Sequence, residues 1–400
     1  MQATTSESIS PQNAALTIVG FVAFTFIGYF TIGLSLGVLP VFIHQQLGYS
    51  TVVTGVVISL QYIVTFLLRG YGGSIVDKKG PKPAVIRSMV GFAASGVLLV
   101  LAVSLKGSPA ICISMLVLAR LVAGIGEGLI GASPVSWALL VVGQRHTGRV
   151  ISYNGIASFG AMAIGAPVGI FISNKVGIGG IGAVAAAMAV IGLLYAMNKR
   201  PLKQNSKAPR EPFGKVLKTV APFGICLTLS GLGFGTISTF ITLYYAYLHW
   251  ANAVFCLSVF STLFILGRVF FATAIDRFGG IRTTICCITV ETIGLLVLWL
   301  ATTPYGALLG AAITGLGFSL VFPALGVEAV RLVPMSNKGA ALGGYGLFLD
   351  LSLFITGPLV GGVASHFGLL YIFPFSVMMV FAGLLLAVLL YTQRKKVPVA

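Results

Sequence analysis

Twelve apolar stretches, each long enough to cross a lipid bilayer as a helix, take up most of this 400-residue chain. At about 1.5 Å of rise per residue, ~20 apolar residues span the ~30 Å of hydrocarbon. The stretches fall at about 16–43, 51–75, 83–105, 110–132, 149–174, 177–198, 218–247, 253–275, 283–303, 305–330, 340–365 and 368–392. None alternates strictly over ~10 residues as a barrel strand would, so helices are expected to carry the crossing. Composition agrees. Charged residues are 8% of the chain, against ~25% in soluble domains, and such a chain cannot cover its own surface in water.

The net charge of +17 raises nucleic acid as a partner, but the placement of the charge argues against it. With the N-terminus inside, the inner segments hold 20 of the 25 basic residues, the outer loops only Lys106 and Lys175, and the spans Arg69, Arg120 and Arg268. This asymmetry is a positive-inside signal. It puts both termini in the cytoplasm of a multi-pass protein, with anionic lipid as a neighbour. The opening "MQATTSESISPQNAAL" carries no Lys or Arg and no signal-peptide pattern, so the first apolar run reads as a retained span.

Enzymatic readings find little support. Five cysteines in apolar runs have no metal-ligand spacing, so neither a disulfide nor a metal site is expected. "GIGGIGA" (177–183) opens an apolar span without the strand that a dinucleotide site needs, and no Walker-type loop is present. No constellation suits a hydrolase, and no cofactor is expected. The four histidines, His44, His146, His249 and His366, sit at span ends or in an inner loop, as interface residues do.

The chain divides in two. "NKRPLKQNSKAPREPFGK" (198–215) is polar, basic and aperiodic, and six spans lie on either side of it. The expected boundaries are a tail at 1–15, a bundle at 16–198, a linker at 199–217, a bundle at 218–392 and a tail at 393–400. Internal similarity supports a duplication. "LRGYGGSIVDKKG" (68–80) matches "GRVFFATAIDRFG" (267–279), placing Arg69 on Arg268, Asp77 on Asp276 and Gly80 on Gly279. "NGIASFGAMAIGAPVG" (154–169) matches "YGLFLDLSLFITGPLV" (345–360), and "AGIG" (123–126) matches "TGLG" (314–317). Repeats of six spans are one basis of alternating access.

Twelve spans in a 6+6 arrangement, a basic central loop and "GSIVDKKGPK" after span 2 resemble the major facilitator superfamily. Its Gly-x3-Asp-basic-x-Gly signature is met by Gly73, Asp77, Lys78 and Gly80, with Lys82 following and Pro81 where a basic residue is common. The expected fold is thus all-α, with twelve transmembrane helices in two pseudo-symmetric six-helix bundles. Within the superfamily the chain resembles bacterial drug- or sugar-efflux permeases of the YhhS/YfcJ-like subgroup. The resemblance implies a cytoplasmic latch in which Asp77 accepts from helix N-terminal amides near Gly339, with Gly80 shaping the loop and Asp276 and Arg277 as a degenerate copy. As an isolated feature, Asp77 reads equally as a turn residue near the headgroups.

Chemistry inside the membrane falls to few residues. Arg120 and Glu127 lie seven apart on span 4, about 10 Å along the axis, so each needs partners on other spans. The resemblance links Arg120, Gly124 and Gly126 to proton coupling; the bland alternative is a structural ion pair. Asp350 on span 11 breaks the repeat where Phe159 stands, and is the second proton-coupling candidate after Glu127. Glu291 stays open between packing and function, Glu328 with Arg331 reads as a surface pair, and Arg69 and Arg268 are the expected partners of the buried acids. The cavity candidates are Tyr29, Gln61, Trp137, Tyr153, Asn154 and Tyr345; Tyr244 and Tyr245 could instead anchor the outer interface. Span 5 carries Gly160, Gly165, Pro167 and Gly169, and span 11 Gly357, Pro358, Gly361 and Gly362. The antiporter element of the superfamily is matched better on span 11 than on span 5, and close helix packing is the plain reading of both.

The expectation is a monomeric, proton-coupled secondary transporter that exports a small organic solute (drug, sugar or metabolite). The alternatives are a proton symporter for sugar or organic-acid uptake, a metallophore exporter, or a non-transporting membrane sensor or scaffold.

Overall fold

The computed structural model describes residues 11–143, 146–202, 213–271, 273–333 and 338–396; the side chains of residues 11–13, 213, 254, 338–340, 342 and 394–396 and of Asp77 lie outside that description. All of the described regular structure is helical. Eleven of the described helices are long and apolar enough to cross a membrane, and a shorter apolar helix covers 255–270. The fold is therefore an all-α membrane fold. The central linker expected at 199–217 lies mostly outside the described residues.

Span 1 (Pro11–Leu36) runs on through Leu39–Val41 into a π-helical turn, Phe42–Gln46. Span 2 is Thr51–Lys79, span 3 Pro81–Ser104, span 5 Thr147–Val176 and span 6 Ile178–Met197. In the second half, span 7 is Phe213–Tyr247, span 9 Gly280–Leu300, span 11 Lys338–His366 and span 12 Ile372–Lys396.

Three spans differ from the continuous stretches read in the sequence. Span 4 extends past the stretch read at 110–132, as Pro109–Ile130 and then Ser133–Val142, and span 10 is broken into Pro304–Phe318 and Val321–Arg331. A proline follows each break, Pro134 and Pro323. Proline has no N–H for the carbonyl four residues back and its ring crowds that carbonyl, which ends a helical run locally. Span 8 is also interrupted, as Val254–Phe270 and Ala274–Phe278.

The duplication is visible in the packing. Span 1 lies along span 5 as span 7 lies along span 11; span 3 packs on spans 4 and 6 as span 9 packs on spans 10 and 12; span 2 meets span 4 as span 8 meets span 10. The two bundles then join along two seams, span 2 against span 11 and span 5 against span 8. Membrane helices gain little hydrophobic free energy from meeting each other, so close approach through small residues matters more. Gly165 and Gly169 lie on the backbone of span 1 at Gly33 and Leu34, while Gly55 and Gly357 bring spans 2 and 11 into backbone contact.

The seams close unevenly. At the end remote from both termini, Thr51 Oγ1 donates to the Gly361 carbonyl at 3.2 Å and Ser258 Oγ to the Ala163 carbonyl at 2.8 Å. Ala163 is the residue whose carbonyl Pro167 leaves without its helical donor, so the donor comes from the other bundle. Toward the terminal end, Gly70, Gly73, Gly148 and Gly343 have open space where a side chain would stand. Among the described residues, the bundles are joined from the distal face to mid-depth and part beyond it.

Candidate functional site

Mid-depth on the span 2–span 11 seam, Arg69 of the first bundle pairs with Asp350 of the second. Arg69 Nη2 donates to Asp350 Oδ1 at 2.6 Å, and Nε stands 2.5 Å from Oδ2. A two-point guanidinium–carboxylate pair combines charge with a fixed geometry. The guanidinium lies beside Gly131 of span 4 and Gly346 of span 11, either of which would place a Cβ 3.4 Å from Nη1. A Cβ at either position would stand in ordinary van der Waals contact with the arginine.

Glu127 completes the cluster from span 4. Its Oε2 accepts from Gln61 Nε2 at 2.6 Å and from Thr65 Oγ1 at 3.0 Å, both on span 2. Spaced four apart, Gln61 and Thr65 present one helix face to it. Gly124 and Gly128 let span 4 approach the span 2 backbone closely enough for these bonds. Glu127 and Asp350 are both 3% exposed, and Glu127 stands within electrostatic range of Arg69 and Asp350. Tyr29 of span 1, half-buried, shares that range. One acid is therefore held by a cation and the other only by neutral donors.

Arg120 sits on the distal side of Glu127 and does not touch it. Its Nη2 donates to the Ile58 carbonyl at 3.2 Å, and its buried Nε has no partner. It borders a cavity of about 20 Å³ shared with Gln61, Thr31, Ser35 and Ser95. That volume suits a single water, and the wall supplies the polar partners a buried water needs.

Several candidates lie elsewhere. Trp137 is fully buried inside the first bundle, stacked on Phe24 at 5.9 Å between ring centroids. Tyr345 is buried with its hydroxyl on the Phe322 carbonyl at 3.1 Å. Asn154 is half-buried and accepts from Thr25 Oγ1 at 2.7 Å; Tyr153 beside it is also half-buried. Tyr244 is buried in the second bundle, and Tyr245 borders a cavity of about 410 Å³ between the bundles at the distal face. Glu291 is wholly buried among spans 7, 9 and 10, where Ser230 Oγ donates to Oε2. It is no part of the seam cluster.

The expected latch is only partly within view. The side chain of Asp77 lies outside the described residues, as do residues 334–337 before span 11. Lys78 is exposed, and Asp276 and Arg277 are exposed on the short helix of span 8. Lys82 donates to the carbonyls of Met197 and Lys199 at 2.7 and 2.6 Å, tying the start of span 3 to the end of span 6. Glu328 is 1% exposed and is no mere surface pair with Arg331: its Oε1 accepts from the Gly280 amide at 3.1 Å at the start of span 9. Sequence reasoning missed this cap because Glu328 and Gly280 lie on separate spans.

Two repeated six-helix bundles, joined on two seams with ionisable groups at mid-depth, define the secondary transporters that work by exposing a central site to each side in turn. The family model described as "Major Facilitator Superfamily" matches residues 21–256 and again 223–400, and the chain belongs to that superfamily. An uncharacterized MFS-type transporter of Pseudomonas aeruginosa is 51% identical over 385 residues, covering 96% of each chain. One of Burkholderia mallei is 47% identical over 400 residues, covering 99% of this chain and 98% of the relative. Among solved structures, a D-xylose-proton symporter superposes with a TM-score of 0.76 at 18% identity, covering 93% of this chain and 96% of its own. A nucleoside transporter superposes at 0.73 and 14% identity, covering 93% and 99%. At such identities these two likenesses speak for the fold alone.

Proposed function

We propose that this secondary transporter couples proton movement to export of a small organic solute across a bacterial inner membrane, with both termini cytoplasmic and the chain acting as a monomer. The observation that carries the reading is the pairing of two buried acids at one depth, with Asp350 locked to Arg69 across the seam and Glu127 held by neutral donors. Asp350 has its charge balanced. Glu127 is the acid whose charge is free to change, and a carboxyl away from water can exchange protons near neutral pH. With the terminal end open, solute enters from the cytoplasm as Glu127 releases its proton. Once the cluster faces outward, Glu127 takes a proton again and the solute leaves. The same switch run in reverse would serve uptake.

Proteoliposomes test it. An imposed pH gradient should drive solute movement in one direction. Glu127→Gln should remove the dependence on the gradient while leaving solute exchange at equal pH intact. Flux that ignores both the gradient and the substitution would refute the coupling.

A further inference from the structure

The second seam repeats the first with one partner missing. Arg268 stands eleven residues before Gly279 as Arg69 stands eleven before Gly80, and each faces the opposite bundle at mid-depth. Arg69 meets Asp350. At the matching position Arg268 meets Phe159, lying 5.9 Å from its ring centroid and 4.6 Å from that of Phe264. Its Nε donates at 3.0 Å to the Ser319 carbonyl, which Pro323 leaves without a helical donor. Neither Nη nitrogen is hydrogen-bonded, and no carboxylate lies within ion-pair distance among the described residues. Gly155 of span 5 makes the approach possible, since a Cβ there would collide with Nη1.

A charge at this depth normally has a counter-charge, because an unpaired charge in hydrocarbon is costly. Arg69 and Asp350 cancel, Arg120 lies inside the first bundle on the Ile58 carbonyl, and Glu291 lies inside the second bundle, so the seam arginine without a carboxylate is Arg268. Its neighbours offer donors as well. Asn154, next to Gly155, spends its carbonyl oxygen on Thr25 and keeps its amide N–H groups. The acceptors here are spent and the donors are not.

We infer that Arg268 is the anchor for the anionic group of the transported solute, which is a small organic anion such as a carboxylate or phosphate monoester. This rests on the transporter reading given above and names its substrate class. The anionic group accepts from Nη1 and Nη2, the Asn154 amide extends the contact, and Phe159 offers an apolar wall. The full chain, purified in detergent at pH 8, decides the matter by calorimetric titration with benzoate, phenyl phosphate and the neutral benzamide. Benzoate or phenyl phosphate should bind at least ~tenfold tighter than benzamide, the scale of a charge-assisted contact. Arg268→Gln should abolish the difference and Arg268→Lys should keep part of it. Gly155→Ala, which displaces the guanidinium without removing its charge, should weaken it. Glu291→Gln should leave it unchanged. Anions that bind no better than benzamide, or a preference that survives Arg268→Gln, overturn the inference. The two readings fail separately: gradient-driven flux of neutral solutes that ignores Arg268 leaves coupling standing, whereas Arg268-dependent anion binding without gradient-driven flux leaves the anchor standing.

Discussion

At the level of single residues, Glu127 and Asp350 show how one chemical type takes two roles from its neighbours. Asp350 is committed to Arg69, so Asp350→Asn leaves a guanidinium without its counter-charge at mid-depth. Breaking such a pair from one side costs about 3–5 kcal/mol, and removing both partners costs much less. Asp350→Asn should therefore lower the thermal midpoint of the detergent-purified chain markedly, and adding Arg69→Gln should recover most of the loss. A double variant no more stable than the single one would mean that the pair contributes little to folding. The sequence pointed to Asp350 because it breaks the repeat, but it did not say which arginine would meet it. Arg69 and Arg268 occupy equivalent positions, and only the placement of Phe159 opposite Arg268 separates them.

At the level of elements, glycines and prolines set where helices end and what their free carbonyls meet. Gly80 and Gly279 have φ of 87° and 83° with extended ψ, a region essentially closed to residues with a Cβ. Each lets one span end and the next begin with no intervening loop. Gly80→Ala and Gly279→Ala should each cost about 1–3 kcal/mol, read as a lower denaturation midpoint. Pro323 acts differently. Pro323→Ala restores an N–H to the Ser319 carbonyl and competes with Arg268 for it. The variant should be more thermostable, since proline in a helix costs about 3 kcal/mol, yet should transport more slowly as span 10 loses its break. Unchanged transport would separate the break from the working cycle. Pro134 and Pro323 were plain in the sequence, but apolar runs on both sides hid the breaks they cause.

At the level of the whole molecule, the two bundles are joined at the distal face and, among the described residues, apart at the terminal one. Closing the distal seam permanently should stop the cycle. Ser258 and Ala163 are in hydrogen-bond contact there across the span 5–span 8 seam, so a cysteine at each, in a background with the exposed Cys286 and half-buried Cys287 replaced by serine, should crosslink on mild oxidation. Flux should fall to background and return with reductant. Persistent flux in the crosslinked protein would show that this seam need not open.

The sequence by itself determined the solvent this protein folds in, its helical class and its twofold internal repeat. Those properties follow from hydropathy, charge asymmetry and matched residue order, all of which are written along the chain. The Gly-x3-Asp-basic-x-Gly signature with Gly80 and the buried charges could be picked out in the same way. Tertiary structure alone decided which charges meet. Arg69 and Asp350 lie far apart in sequence and in different bundles, Glu328 caps a helix it does not belong to, and Arg268 differs from its twin only in what the other bundle puts opposite it. A membrane interior makes a lone charge costly, but it cannot specify the partner; that depends on how two rigid bundles are set against each other.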